Sequence, residues 1–498
     1  MALWPLTGEI VLTFLLSAGL LYRYGNWTSQ NVVTTISVFI AWFFSFIVIF
    51  ILPLDISTTS YLQCQSNWNT SHSNSTNATS DSLSSLSLSN ETTTTTMAPV
   101  PIGPALDEVC GQPWSYVPGN VLQTLWRIVY WTGQVLTWIV LPIMQSYSMA
   151  GDFTPLRKLK SSLLENLIFY GVLAVTFLVL LIYVALHRPI SMEYLKVICI
   201  TAANTWGLFL LIVLLGYGLV EIPKSCYENS RHNRTLNYLY FKVAKLSAEK
   251  CESEEQLDDA LEQIQQTFEA VVGTHRHLRP YMDVILEKCP NEWKLRLLQK
   301  YENQEDRSRG GRTVAYNEND LVRLHRNILK ASQFHHRTHI QWNVLIDKVI
   351  SWEDVAKNQA SLSRRYTKSF PSTSLKPSVW DTLRDAIYTP RVEWYWKCKI
   401  RSPFFKVLGA GLAVLSFLVI WSEMTFSVTS PRLSIFALLY DFCRRSESYF
   451  MTEFFSIVSI AYLCVCAYYT VFKIRIFNYY YLASHHQTDE YSLIFCGM

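Results

Sequence analysis

Charge is the first thing this sequence is short of. Only 16% of its 498 residues are charged and half are apolar, against about 25% charged in soluble domains. That balance, at a length beyond one ordinary core, excludes a single soluble globule. Positive charge is the scarcest locally. No Lys or Arg precedes Arg23, so the opening apolar run lacks the basic start of a secretory signal. None occurs between Asp55 and Pro118 either. The eleven cysteines show no zinc or redox spacing, and Cys464 and Cys466 stand one residue apart in an apolar run. A phosphate-binding loop, a nucleophile motif and a His or acid cluster inside the apolar runs are all lacking. The chain therefore reads as a non-enzyme with no cofactor and no metal, and nothing in it points to nucleic acid.

Long apolar runs are what it has. A spanning helix needs about 20 apolar residues, and seven candidates lie near 3–22, 32–54, 119–142, 163–186, 195–220, 404–426 and 452–472. Arg23 and the Arg157, Lys158, Lys160 group mark the cytosol, which puts the N-terminus outside. The expected fold is all-α: a polytopic transmembrane bundle with a large cytosolic antiparallel coiled-coil insert. Its parts are spans 1–2 (1–54), an outer loop (55–118), spans 3–5 (119–220), the insert (221–403), spans 6–7 (404–472) and a cytosolic end that begins a further span (473–498).

The second span is expected to end at Pro53-Leu54-Asp55. The outer loop after it is crowded with Ser, Thr and Asn, a composition unable to bury a core. Four sequons there, at Asn69, Asn74, Asn77 and Asn90, point to a glycosylated lumenal or extracellular face. The Asn26 sequon falls on the cytosolic side and is expected to be unused. Cys64 and Cys110 flank the Ser/Thr tract, and a disulfide between them would pin its base in an oxidising compartment. Two polar residues fall inside apolar runs. Arg127 is either a structural partner for a carboxylate, with Glu9, Asp55 and Glu193 as candidates, or part of a ligand path. Asn204 is expected to make a helix–helix contact, or to line the same path.

The insert carries two helical stretches. Leu239, Val243 and Leu246, then Leu257, Leu261, Ile264, Phe268 and Val271, alternate at 3 and 4, the seam of a coiled coil. Ser253 with Gln256 fits a capping box, which predicts a helix restart there. The second stretch runs Leu321, Leu324, Ile328, Ala331, His335, Thr338, Trp342, Leu345, Val349, Trp352 and Ala356, with Asn319 or Asp320 as its cap. A hairpin projecting from the membrane is the simplest structure; seams pairing with a second chain are the alternative. His335 and His339 have the four-residue spacing of a helical zinc site, but no third ligand is evident, and a register-fixing His335 is preferred. From Arg364 to Lys406 there are ten Lys or Arg and three acids, with Trp394, Tyr395 and Trp396 among them. That segment is expected to lie along an anionic leaflet, Trp394 and Trp396 at the interface. Near the end, His485, His486, Asp489 and Glu490 form a polar cluster, either a turn or a site for a metal or headgroup. The chain stops at Met498 as another apolar run begins, and reads as cut short.

That final stretch, FNYYYLASHHQTDEYSL, resembles the limb-region-1 and lipocalin-interacting membrane receptor family. FILPLDISTT at Phe50–Thr59, PWSYV at Pro113–Val117, EDVAKN at Glu353–Asn358, EWYWK at Glu393–Lys397 and VFKIRIFN at Val471–Asn478 agree with it. The resemblance covers essentially the whole chain. It implies about nine spans, an outside N-terminus and a cytosolic coiled-coil insert after span five, and it brings no catalytic residues. It also implies receptor-like or regulatory work, in this branch on G-protein-coupled receptor signalling at the plasma membrane, with an endolysosomal membrane as the alternative. The expected function is a membrane adaptor whose cytosolic insert binds a protein partner, a G-protein-coupled receptor being the implied one. The alternative is a transporter or endocytic receptor with a ligand path in the bundle.

Overall fold

The structure is a computed structural model. It describes residues 4–26, 30–85, 111–187, 191–274, 276–304, 316–361, 363–370, 389–428, 433–445, 449–473, 480–483 and 486–497. The described residues are mostly helical, with no strand among them. Seven helices are long and apolar enough to cross a membrane: α1 Trp4–Tyr24, α2 whose spanning part is Val32–Trp68, α3 Gly119–Met149, α4 with Pro155–Leu186, α5 Met192–Asn229, α10 Pro390–Thr425 and α12 Tyr449–Lys473. The apolar windows of α4 and α5 are wholly uncovered by protein. A helix satisfies its own backbone, so such faces are stable against hydrocarbon and costly against water.

The helices overrun the apolar runs that nucleate them. Once a helix is started, each added residue gains a hydrogen bond at small cost. Thus α2 runs Val32–Ser85 with Pro53 inside it. The expected stop at Pro53 and the expected irregular loop from Asp55 are both replaced by helix up to Ser85. Asn69, Asn74 and Asn77 fall on this helix; Asn90 and Cys110 lie outside the described residues. Cys64 is disulfide-bonded. Likewise α10 is continuous from Pro390, through a π turn at Tyr395–Ile400, into the sixth span. The part of the basic segment from Pro390 onward is therefore the root of a spanning helix.

The chain divides into two compact units. The first holds Met1–Ala18, Trp42–Gly133 and Leu415–Val465. Its core joins α1, α2 and α3 through Leu6, Ile47, Ile51, Leu54, Leu122 and Val129. The short amphipathic α11, Ile435–Arg445, is tethered there by Tyr440 Oη, 2.5 Å from Ser60 Oγ. The second unit holds Gly19–Ala41, Gln134–Val414 and Cys466–Met498.

Within the second unit, α6 His232–Thr274 and α9 Glu318–Gln359 pack antiparallel, with α7 Arg279–Glu287 and α8 Asn291–Gln304 between them in sequence. Leu257, Leu261, Ile264 and Phe268 of α6 meet Leu321, Leu324 and Ile328 of α9, joined by Met282 and Ile285 of α7. At the other end Leu239 and Leu246 meet Leu345, Val349 and Trp352. Each fully buried Leu or Ile contributes about 1.5–3 kcal/mol, so this seam is the unit's main adhesive. The restart expected at Ser253 does not occur. Ser253 is fully buried in an unbroken helix and donates to the Lys250 carbonyl, 2.8 Å. At the start of α9 the cap is Asn317, two or three residues before the expected position, with Asp320 closing the capping box.

Candidate functional site

The tip of the α6–α9 hairpin does not project freely. It rests on the turn Ala150–Thr154 between α3 and α4. Gly151 makes this possible. A Cβ there would come 2.2 Å from the Val322 carbonyl oxygen and 2.9 Å from the Arg326 nitrogen, so two backbones touch where only glycine fits. His325 Nδ1 donates to the Gly151 carbonyl at 2.7 Å. Phe153 stacks on His325 at 5.4 Å and on Tyr281 of α7 at 4.7 Å. Two ion pairs rim the contact, Arg326–Glu165 at 2.8 Å and Arg157–Glu318. Exposed pairs add little each; here they fix the azimuth of α9 against α4.

His325 is 2% exposed, and its Nε2 is buried with no partner. Burial lowers its pKa from the usual value; Lys158 and Lys288 act the same way, while the Gly151 bond and Asp152 oppose them. The folded state thus prefers the neutral ring. Below the unfolded-chain value of about 6.5 the unfolded chain takes up a proton that the folded chain declines. The stability contributed at this site is complete above that pH and is lost as pH falls toward the folded value. Melting of the purified chain should therefore occur at lower temperature at about pH 5.5 than at about pH 7.5. His325→Asn should shrink that difference. Part will remain, because burial lowers the pKa of His232 and His335 too. A difference unchanged by His325→Asn would contradict the assignment.

The hairpin's root is held as closely. Arg401 lies over the Trp352 ring at 4.2 Å, and Ser402 Oγ donates to the Ser230 carbonyl at 2.9 Å. Trp394 Nε1 donates to the Asn358 carbonyl at 2.9 Å, at the end of α9, so this tryptophan anchors the insert. Trp396 is exposed, tilted against Phe404. α5 and α12 cross with backbones in contact at Gly218, where a Cβ would meet the Cys466 carbonyl oxygen at 2.4 Å. Thr470 Oγ1 donates to the Leu214 carbonyl at 2.7 Å, and Lys473 pairs with Glu221.

The seam residues Leu257, Leu261, Ile264, Phe268, Leu321, Leu324, Ile328, Leu345 and Val349 are buried. His335 and Trp342 are only half-buried, while Arg337, Thr338 and Gln341 are buried. Gln333 and Arg337 of α9 line a cavity of about 990 Å³ shared with Gln145 and Met149 of α3, while the Thr338 hydroxyl donates to the Phe334 carbonyl at 2.8 Å. His335 and His339 rings are 6.1 Å apart. Of the terminal polar cluster, His485 lies outside the described residues. His486 Nδ1 donates to the Gly25 carbonyl at 2.9 Å, Asp489 accepts from the Ser492 nitrogen, and Glu490 accepts from Asn31 and Thr34. These residues clip the last helix, α13 Glu490–Gly497, to the α1–α2 corner.

Arg127 and Asn204 both stand on exposed helix faces. The polar centre inside the spans lies elsewhere, in the first unit. Glu453 of α12 is 5% exposed and accepts from Ser115 Oγ, which is 3.2 Å from Ser57 Oγ. Glu9 of α1 lies within electrostatic reach of it. Sequence reading misses the group because its members lie 444 residues apart (Glu9 to Glu453) and each alone is an isolated acid.

The model of the LMBR1-like membrane protein family matches residues 3–498. The chain is 44% identical to a zebrafish (Danio rerio) protein named G-protein coupled receptor-associated protein LMBRD2B, over 98% of this chain and 68% of that one. It is 41% identical to the human G-protein coupled receptor-associated protein LMBRD2, with the same coverage. A Drosophila melanogaster LMBR1 domain-containing protein 2 homolog is 41% identical, over 98% of this chain and 67% of that one. No solved structure matches.

Proposed function

Because the chain belongs to the family of LMBR1-like membrane proteins, we propose that it is a multi-pass membrane adaptor that associates with G-protein-coupled receptors and regulates their signalling. In this reading the α6–α9 hairpin is a cytosolic coiled coil, the N-terminus is outside, and the protein works at the plasma membrane without catalysing a reaction. The names of the vertebrate relatives supply the class of partner. The observation that carries the mechanism is the double anchorage of the hairpin, at Gly151 by its tip and at Arg401 by its root. A rod held at both ends presents its outer face in a fixed register with the spans, so a partner gripping the hairpin is set in a defined position beside them.

The test removes residues 232–359 from the full chain and bridges the gap with a flexible linker. Proximity labelling in cells expressing a receptor should then lose receptor capture, while the shortened chain still reaches the surface. Capture at the level of the intact chain would sink the proposal.

A further inference from the structure

A groove of about 1340 Å³ opens where the end of α5, the start of α6 and the end of α12 converge, with α9 along one side. Six cations line it: Lys224, Arg234, Lys242, Lys245, Lys348 and Lys473. Three carboxylates oppose them, Glu221, Glu228 and Glu249. Glu221 is engaged by Lys473 and by Lys224 at 3.6 Å, and Glu249 by Lys245 at 3.9 Å. With six cations against three carboxylates, the lining carries a net positive charge.

Arg234, Tyr238, Phe241 and Lys245 fall at helical spacing on one stripe of α6, next to the buried seam of Leu239 and Leu246. Phe241 is 68% and Tyr238 60% exposed, on a helix whose other exposed residues are mostly polar. Exposed aromatics beside cations suit the headgroup layer of a bilayer, where a ring finds an amphipathic setting. The position agrees. The uncovered apolar length of α5 runs up to this groove through Leu211, Val213 and Val220, and Tyr468 and Phe472 continue the surface on α12. The groove thus begins where the two spanning helices turn from apolar to charged.

We propose that this groove binds the phosphate-bearing headgroup of an anionic membrane lipid, whose acyl chains lie along the exposed faces of α5 and α12. Ammonium groups serve as point charges for the phosphate, and Arg234 offers a planar fork that grips two of its oxygens. A soluble phosphate would use the cations but leave the apolar walls uncovered. The site is independent of the adaptor reading.

The experiment uses the full chain purified in detergent and a photoactivatable phosphatidylinositol phosphate. Cross-linked peptides should map to 234–245 and 468–473, and unlabelled phosphatidylcholine should not compete. Changing Arg234, Lys242 and Lys245 together to Gln should weaken retention about a hundredfold, taking each basic residue near a membrane surface at its usual worth. Size-exclusion elution and helical content of the variant check its fold, and the mapping on the unaltered chain needs no variant. Label elsewhere, equal competition by phosphatidylcholine, or retention unchanged in a folded variant overturns the proposal. Equal displacement by soluble inositol phosphate would assign the groove to a free anion and overturn it as a lipid site.

Discussion

Replacing Gly151 with valine is expected to detach the hairpin's tip and to cost the second unit about 3 kcal/mol, the upper range for forcing atoms into a filled space. The atoms in the way are backbone: the Val322 carbonyl oxygen at 2.2 Å and the Arg326 nitrogen at 2.9 Å from the new Cβ. A side-chain neighbour could rotate aside. These can yield only if α9 moves bodily away from the turn, and with it go the His325–Gly151 bond and the stacking on Phe153. Hydrogen exchange should show faster labelling at residues 318–328 and 150–157, with the root near Trp352 unchanged. Cleavage of the hairpin by protease should rise in parallel. Uniform exchange across the hairpin in wild type and variant would contradict the contact.

Ile328→Ala is the second large effect. Ile328 is fully buried in the cluster that joins α6, α7 and α9. Truncation removes about three methylene-sized groups from a site bounded on several sides, and such changes cost 2–5 kcal/mol, roughly, because the cavity closes only in part. The high end is expected, since helices tied at both ends cannot slide together to fill the void. Chemical denaturation of the purified chain, followed by tryptophan fluorescence, should show a lower midpoint. Trp293 packs against this cluster and Trp352 lies in the other, so a local effect would broaden the transition that the sixteen tryptophans report together. A loss below about 1 kcal/mol would show that the seam is loosely packed.

The parts of this fold written in local pattern were readable before any coordinates. The seven helices long and apolar enough to span, among the described residues, follow from apolar runs, and Leu257 to Phe268 and Leu321 to Ile328 follow from a 3-4 spacing that each helix carries within itself. What the sequence hid depends on partners. The turn Ala150–Thr154 has no pattern, and only a single glycine marks the spot where the hairpin lands. Ser253 looked like a cap because capping residues are recognised by type, yet a helix already propagating absorbs a serine through an i−3 carbonyl bond. The basic neighbours of Trp394 mark an interfacial segment but say nothing of the bond its indole makes to the end of α9. The Ser/Thr-rich composition after Asp55 predicts an irregular loop, yet residues up to Ser85 continue α2. Glu453 could not be matched with Ser115 and Ser57 without the packing of α2 and α12.

The orientation of the hairpin carries the account, and a distance decides it. With reactive native cysteines replaced, spin labels at Arg157→Cys on α4 and Glu318→Cys at the start of α9 report on the two residues that form an ion pair across the tip. A docked hairpin predicts a short, narrow distance limited by the labels' own reach. A rod standing away from the membrane would place the start of α9 about 60 Å off, the length of its own helix at 1.5 Å per residue, with a broad distribution. That second result would contradict the anchored hairpin.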